Sequence, residues 1–277
     1  MTKKVQKSVL LIVMFFFAIV AIAPILLMLM DSFKTGSELS KNAWGLPADW
    51  TAENYTNLVS FNSGILVRTF LNSVFVSVVY TALTLIVSSL AAFAFSKYHF
   101  KGEKVIFAFL LATMMIPTEI TIPAIYLMFS KIHMLNTYSI QIFPGIANVF
   151  CLFMLKQYVD SLPNSLLEAA RLDGASDLCI YRKIILPLVS PAIGALAILT
   201  FLGKWNDYLW PSMLLTKTEV MPIMVLLPTL NTGNSQWSTP WELVMAGCVI
   251  VTLPLILVFF TFQDQFMSSV TIGAVKE

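Results

Sequence analysis

Charge is what this chain has least of. Of its 277 residues only 12% are charged, while 58% are hydrophobic. A soluble domain carries roughly a quarter charged residues. Half that share, with long uncharged apolar runs, places the chain in a membrane. The net charge of +2, with no dense basic patch, argues against a nucleic-acid partner.

Residues that carry chemistry are also scarce. The two histidines, His99 and His133, fall in different loops. The three cysteines, Cys151, Cys179 and Cys248, form no CxxC and no metal-like spacing with the histidines, so they read as unpaired thiols used as small apolar side chains. No metal site is expected. GxSxG and HExxH are absent. The one Gly-Lys pair, Gly203-Lys204, is followed by Trp205 and lacks the upstream glycine and the Ser/Thr of a phosphate loop. The chain therefore does not read as an enzyme, and it should not hydrolyse a nucleotide itself. There is no internal repeat and no low-complexity tract.

What is present is a set of six apolar segments, about 8–30, 69–95, 105–130, 138–155, 191–215 and 243–262. Each is near 20 residues and continuously apolar, which favours spanning helices over a barrel. The first is about 23 residues long, longer than the apolar core of a cleaved signal, so it reads as a retained helix. Pro117 and Pro123 interrupt the third segment, and Pro144-Gly145 interrupts the fourth. The expected fold is all-α and integral to the membrane, with six transmembrane helices.

Lys and Arg set the expected orientation. Eleven of the seventeen (Lys3, Lys4, Lys7, Lys97, Lys101, Lys104, Lys156, Arg171, Arg182, Lys183 and Lys276) lie at one set of segment ends. Five (Lys34, Lys41, Arg68, Lys131 and Lys217) lie at the other, and Lys204 is inside the fifth segment. Both termini then fall in the cytoplasm, and loops 31–68, 131–137 and 216–242 fall outside. Trp44 and Trp50 in the first outer loop suit an interfacial belt or an external partner. Gly233, Trp237 and Pro240 give the last outer loop irregular structure. Three parts follow: an anchor helix with its outer loop at 1–68, a membrane domain at 69–263 and a cytoplasmic tail at 264–277.

One polar stretch, Lys156–Pro187, interrupts the apolar pattern with eight charged residues, a quarter of those in the chain. Ser161-Leu162-Pro163 suits a helix start, and Ser165-x-x-Glu168 fits a capping box. Gly174 suits a helix stop. Leu178, Tyr181, Ile185 and Leu188 then mark an apolar stripe on a second helix. By these signals alone, a solvated hairpin serves as well as a docking element.

The spacing within that stretch resembles a known signature. Glu168-Ala169-Ala170, three residues, Gly174, nine residues, then Ile184-Ile185-Leu186-Pro187 is similar to the cytoplasmic EAA motif of permease subunits of binding-protein-dependent ABC importers. MIPTEITIPAIYL (115–127), LNTY (135–138), LDGAS (172–176), WNDYLWP (205–211) and the closing IGAVKE resemble the sugar-transporting branch, in particular its shorter, maltose-type permease with six helices. The likeness covers about residues 5–277, and Ser268-Ser269 departs from it where a glycine-containing tail is expected. The resemblance implies a type I importer permease in a bacterial-type inner membrane. It implies a second permease, two ATPase subunits that bind ATP and Mg, and an external sugar-binding protein. Glu168, Ala169, Ala170, Arg171, Asp173, Gly174, Ile184, Leu186 and Pro187 are then the coupling residues. Small Ala169 and Ala170 admit close approach of a partner surface, and Glu168 offers a charge for a partner arginine.

A charge at the centre of a spanning helix costs roughly 2.5–3.5 kcal/mol, so polar groups there face protein or water. Glu119, Asn148, Asn206 and Asp207 are candidates for a sugar path, with Trp205, Tyr208 and Trp210 as stacking surfaces. Lys204 and Asp207 also stand three apart and suit an intrahelical pair, and Glu119 also suits a snorkelling acid or one paired with a partner. An importer of a polyol, amino acid or phosphate, an ion-coupled carrier using Glu119, Lys204 and Asp207, and an intramembrane enzyme are the competing readings. An ion-coupled carrier favours an internal repeat, and the enzyme lacks a catalytic set.

Overall fold

The computed structural model describes residues 3–231 and 240–274, and the side chains of 6–230 and 240–263. Gly233 and Trp237, the side chains of Lys3, Lys4, Ser268 and Ser269, and Lys276 lie outside what is described, as do the side chains of the expected 264–277 tail. Among the described residues every regular element is a helix.

Three helical stretches are long and apolar enough to cross a bilayer: Gln6–Asp31, Glu53–Lys97 and Trp241–Gln263. Two bent pairs also qualify, Glu103–Thr113 with Thr118–Lys131 at 92° and Asp177–Leu188 with Ser190–Trp205 at 76°. Length and composition thus give three spans, or five if each bent pair is one span, and not the six expected.

Proline and glycine account for the difference. Proline lacks an N–H and clashes with the preceding turn, and the bends fall at Pro117 and beside Pro187 and Pro191. In the fourth expected segment, helices Tyr138–Ile142 and Val149–Asp160 are separated at Pro144-Gly145, where Gly145 has φ +91°. The fifth breaks after Trp205 and resumes as Leu209–Leu214.

Contacts divide the chain into two units, Met1–Arg68 with Leu226–Pro254, and Thr69–Val225 with Leu255–Glu277. In the first unit, helix Lys3–Asp31 is exposed along most of its apolar length, a surface suited to lipid. Its end is tied down. Lys34, fully buried, donates to Asp31 Oδ1 at 2.7 Å and to the Asn42 carbonyl at 2.7 Å. The Asn54 amide donates to the Ser32 and Lys34 carbonyls, both at 2.8 Å. Short helices Gly36–Lys41 and Glu53–Ser60 complete this loop.

In the second unit, helix Ile65–Lys97 buries a polar stripe: Thr69, Ser73, Ser77, Thr81, Thr84 and Ser88. Small hydroxyl residues at helical spacing let neighbouring backbones approach in a membrane protein. The stripe and its neighbours also satisfy irregular backbone. The Asn72 amide donates to the Glu219 and Met221 carbonyls at 2.9 and 3.0 Å. Ile223 N–H donates to Ser73 Oγ at 2.8 Å, and Gln141 Nε2 to the Val220 carbonyl at 3.0 Å. Side chains thus satisfy the backbone along residues 219–223.

Candidate functional site

Two features of the second unit answer to the sequence, a polar hairpin and a cavity. The hairpin begins where helix Val149–Asp160 ends. Its first helix is Ser165–Leu172, with Asn164 at the N-cap position. The expected capping box at Ser165 is not formed, since Ser165 is already helical. Asn164 itself sits in the right-handed helical region and makes no side-chain cap. Its Oδ1 is taken by the Lys97 ammonium at 2.9 Å, which also donates to the Leu162 carbonyl at 2.8 Å. The end of helix Ile65–Lys97 is therefore fastened to the hairpin's entrance.

The stop at Gly174 is built from two backbone bonds. Gly174 N–H donates to the Arg171 carbonyl at 3.0 Å, and Ala175 N–H to the Ala170 carbonyl at 2.9 Å. This is the Schellman pattern, which needs a left-handed residue at the position of Gly174; its φ is +79°. A Cβ there would meet nothing within 4 Å, so dihedral strain and not space selects glycine.

The return helix of the hairpin, Asp177–Leu188, contains a π turn at Tyr181–Ile185. Its buried face is Ile180, Tyr181, Ile185 and Val189. Tyr181 and Ile185 of the expected stripe are buried, while Leu178 and Leu188 are exposed and Ile180 and Val189 take the buried positions. That face packs with Leu167, Phe93 and Val159. The two alanines divide: Ala170 packs against this cluster, while Ala169 is exposed beside Glu168. Arg171, Asp173 and Pro187 are exposed, and Ile184 and Leu186 are half-buried. Leu172 is 89% exposed at the tip.

Tyr98 steadies the tip. The Arg171 guanidinium lies 5.6 Å from its ring centre and donates to Asp177 Oδ1 at 3.4 Å. The Tyr98 hydroxyl and then Arg171 hold the Asp177 carboxyl below the usual carboxylate range. The same cluster, led by Tyr98, raises the Arg171 guanidinium.

The cavity, about 660 Å³, lies among the broken helices. Tyr80, Thr118, Thr121, Gln141, Asn148, Thr200, Lys204, Asp207 and Trp210 supply its polar lining. The Tyr80 hydroxyl donates to the Gly145 carbonyl at 3.0 Å. Lys204 donates to Asp207 Oδ2 at 2.9 Å and lies 5.0 Å from the Tyr80 ring centre. Asp207 Oδ1 accepts from the Trp210 N–H at 3.3 Å. Asn148 caps helix Val149–Asp160, accepting from Cys151 N–H at 2.9 Å.

Of the expected path residues, Asn148, Asp207 and Trp210 line this cavity. Glu119 does not, although Thr118 and Thr121 of its turn do. Trp205 is 1% exposed, packed edge-on against Phe70 and stacked on Phe201. Asn206 is exposed, its amide donating to the Leu202 carbonyl, and Tyr208 is exposed away from the lining. Tyr80, Gln141 and Thr200 were not singled out by sequence. Their signal is a polar group recurring within an apolar run.

Broken helices around a polar cavity, with a stiffened polar hairpin in the same unit, define a membrane transport subunit. The chain belongs to the family of binding-protein-dependent transport system inner membrane components, which matches residues 84–272. It is a transport subunit and not an enzyme, and an ion-coupled carrier is set aside with that membership. It is similar to the arabinooligosaccharides transport system permease protein AraQ of Halalkalibacterium halodurans, 34% identical over 266 residues, 94% of this chain and 93% of that protein. It is also similar to a probable starch degradation products transport system permease protein, AmyC of Thermoanaerobacterium thermosulfurigenes, 31% identical over 277 residues, 99% and 98% of the two chains. A chain from the crystal structure of a bacterial ABC transporter involved in import of the acidic polysaccharide alginate has the same fold, with TM-score 0.84 at 24% identity over 95% of this chain and 97% of that one.

Proposed function

We propose that this chain forms half of the translocation path of an ATP-driven oligosaccharide importer. It works with a second permease, two ATPase subunits that hold ATP and Mg, and an external sugar-binding protein. The similar permeases named for arabinooligosaccharides and for starch degradation products support a sugar as cargo. The Lys and Arg bias supports a cytoplasmic hairpin and cytoplasmic termini, and six crossings follow when segments 103–131, 138–160 and 190–214 are each counted as one beside the three long helices.

The observation that carries this reading is the two-sided hairpin. Its inner face is packed into the membrane domain through Leu167 and Ala170. Its outer face shows Leu166, Glu168, Ala169 and Leu172 to solvent. An apolar tip such as Leu172, beside a carboxylate without a partner among the described residues, suits a cleft on another protein. Asp173, Arg171 and Gly174 hold the turn that presents it, and Ile184, Leu186 and Pro187 carry the return helix to the next span.

The test is reconstitution in proteoliposomes with the partner permease, ATPases and binding protein. Glu168→Ala and Gly174→Val are expected to leave the chain in the membrane and to lower ATPase co-purification and ATP-driven uptake by about tenfold, the equivalent of 1.4 kcal/mol of docking energy. Uptake and co-purification equal to wild type would overturn the coupling role. ATP-independent uptake by this chain alone would overturn the importer reading.

A further inference from the structure

The 660 Å³ cavity carries two full charges on its described lining, Lys204 and Asp207, and they cancel. Their atoms are 2.9 Å apart. Both groups are committed elsewhere as well, Lys204 over the Tyr80 ring and Asp207 to the Trp210 N–H. Neither side chain is free to swing out, being 12% and 16% exposed. The rest of the polar lining is hydroxyl and amide, as at Thr200 and Asn148, beside the indole of Trp210.

Resting on the sugar-permease reading above, we propose that this half of the path selects uncharged saccharides and that the Lys204–Asp207 pair is the specificity device. A neutral sugar offers hydroxyls to the hydroxyl and amide groups and an apolar ring face to the indole. A uronate-bearing sugar brings a carboxylate out of water. The one cation on the wall is already neutralised, so that desolvation has no compensating partner. The pair thus works by exclusion, as specificity often does. Lys204 alone would attract a uronate, and Asp207 cancels it.

The test uses the assembled importer purified without its binding protein, so that only the permease path reads the sugar. Arabinopentaose and maltopentaose serve as neutral probes and pentagalacturonate as the acidic one, with binding followed by tryptophan fluorescence and calorimetry. Wild type is expected to bind a neutral pentasaccharide at least about tenfold more tightly than pentagalacturonate. Asp207→Asn, which leaves Lys204 unpaired, is expected to shift that ratio toward the acidic probe by about tenfold or more. Lys204→Gln/Asp207→Asn, neutral again, is expected to restore the wild-type ratio. The double variant also guards against misfolding of the single one.

Equal or tighter binding of pentagalacturonate to wild type, or an unchanged ratio in Asp207→Asn, would overturn the proposal. So would no binding of any probe by an importer that still imports a sugar. Absence of both binding and ATP-driven sugar uptake would instead overturn the reading on which the proposal rests.

Discussion

Gly174 and Gly203 show how differently one residue type works in this chain. Gly174 is required by its dihedral, since φ +79° is the region where a side chain costs roughly 1–2 kcal/mol. That need was legible, because a glycine after an amphipathic run is the usual helix stop. Gly203 is helical, lines the cavity, and has nothing within 4 Å of where a Cβ would stand. Gly203→Ala should therefore fit and stabilise the helix by about 0.5–1 kcal/mol, read as a higher melting temperature with transport retained. Gly203→Phe should fold but place a ring in the cavity, cutting uptake while ATPase assembly persists. Equal uptake by both variants would remove the cavity from the path. Trp205 marks the limit of sequence at this scale. Its aromatic ring suited a stacking surface, but only packing against Phe70 and Phe201 shows it to be core.

At the scale of elements, what sequence gave away best was the punctuation. Pro117, Pro144-Gly145 and Gly174 each mark a real break. What it hid were the ties that cross between elements, because these join residues far apart in the chain. Lys97 to Asn164 is one, and Asn72 to the 219–221 carbonyls is another. Equally hidden was that Ile180 and Val189, and not Leu178 and Leu188, complete the buried face with Tyr181 and Ile185. The buried Lys34–Asp31 pair is a local tie with a testable energy. Removing one partner of a buried pair typically costs 3–5 kcal/mol, so Lys34→Met should destabilise the first unit by about that much. Lys34→Met/Asp31→Leu should recover most of the loss in limited proteolysis of residues 32–55, and equal protection in all three proteins would contradict the tie. The hairpin tip has a pH-sensitive tie. The folded-state Asp177 carboxyl sits below its ordinary value of about 4. Its contribution is thus fully present above that value and is lost as pH falls through the lower folded value. Protection of the 171–178 amides, measured relative to their intrinsic exchange rate at each pH, should fall only below about pH 4, and Asp177→Asn should show the low protection at every pH.

On the proposed coupling, motion passes from hairpin to cavity, and packing offers a continuous route within the second unit. The hairpin cluster of Leu167, Tyr181, Ile185 and Val189 meets a second cluster of Ala92, Cys151, Leu155 and Leu196. Tyr158 and Ile193 pack against both. Cys151 and Leu196 then line the cavity. Packed side chains of this kind transmit a displacement because the interior is dense and cannot absorb it. Coupling along the route is measured by a substitution that touches neither end of it. Ile193 is the place to measure, because it bridges the clusters without lying on the hairpin's outer face or on the cavity wall. Ile193→Ala should leave a void and cost about 2–4 kcal/mol if fully buried, less here because the residue is half-buried. Ligand binding and ATPase co-purification should both stay at wild-type levels, since neither surface is touched. ATP hydrolysed per sugar imported should rise several-fold, because the hairpin's movement dissipates in the void before reaching Leu196. Ile193→Leu, which refills the space, should bring the ratio back. A ratio in Ile193→Ala equal to wild type would send the force by another route, through the Lys97 tie and helix Ile65–Lys97.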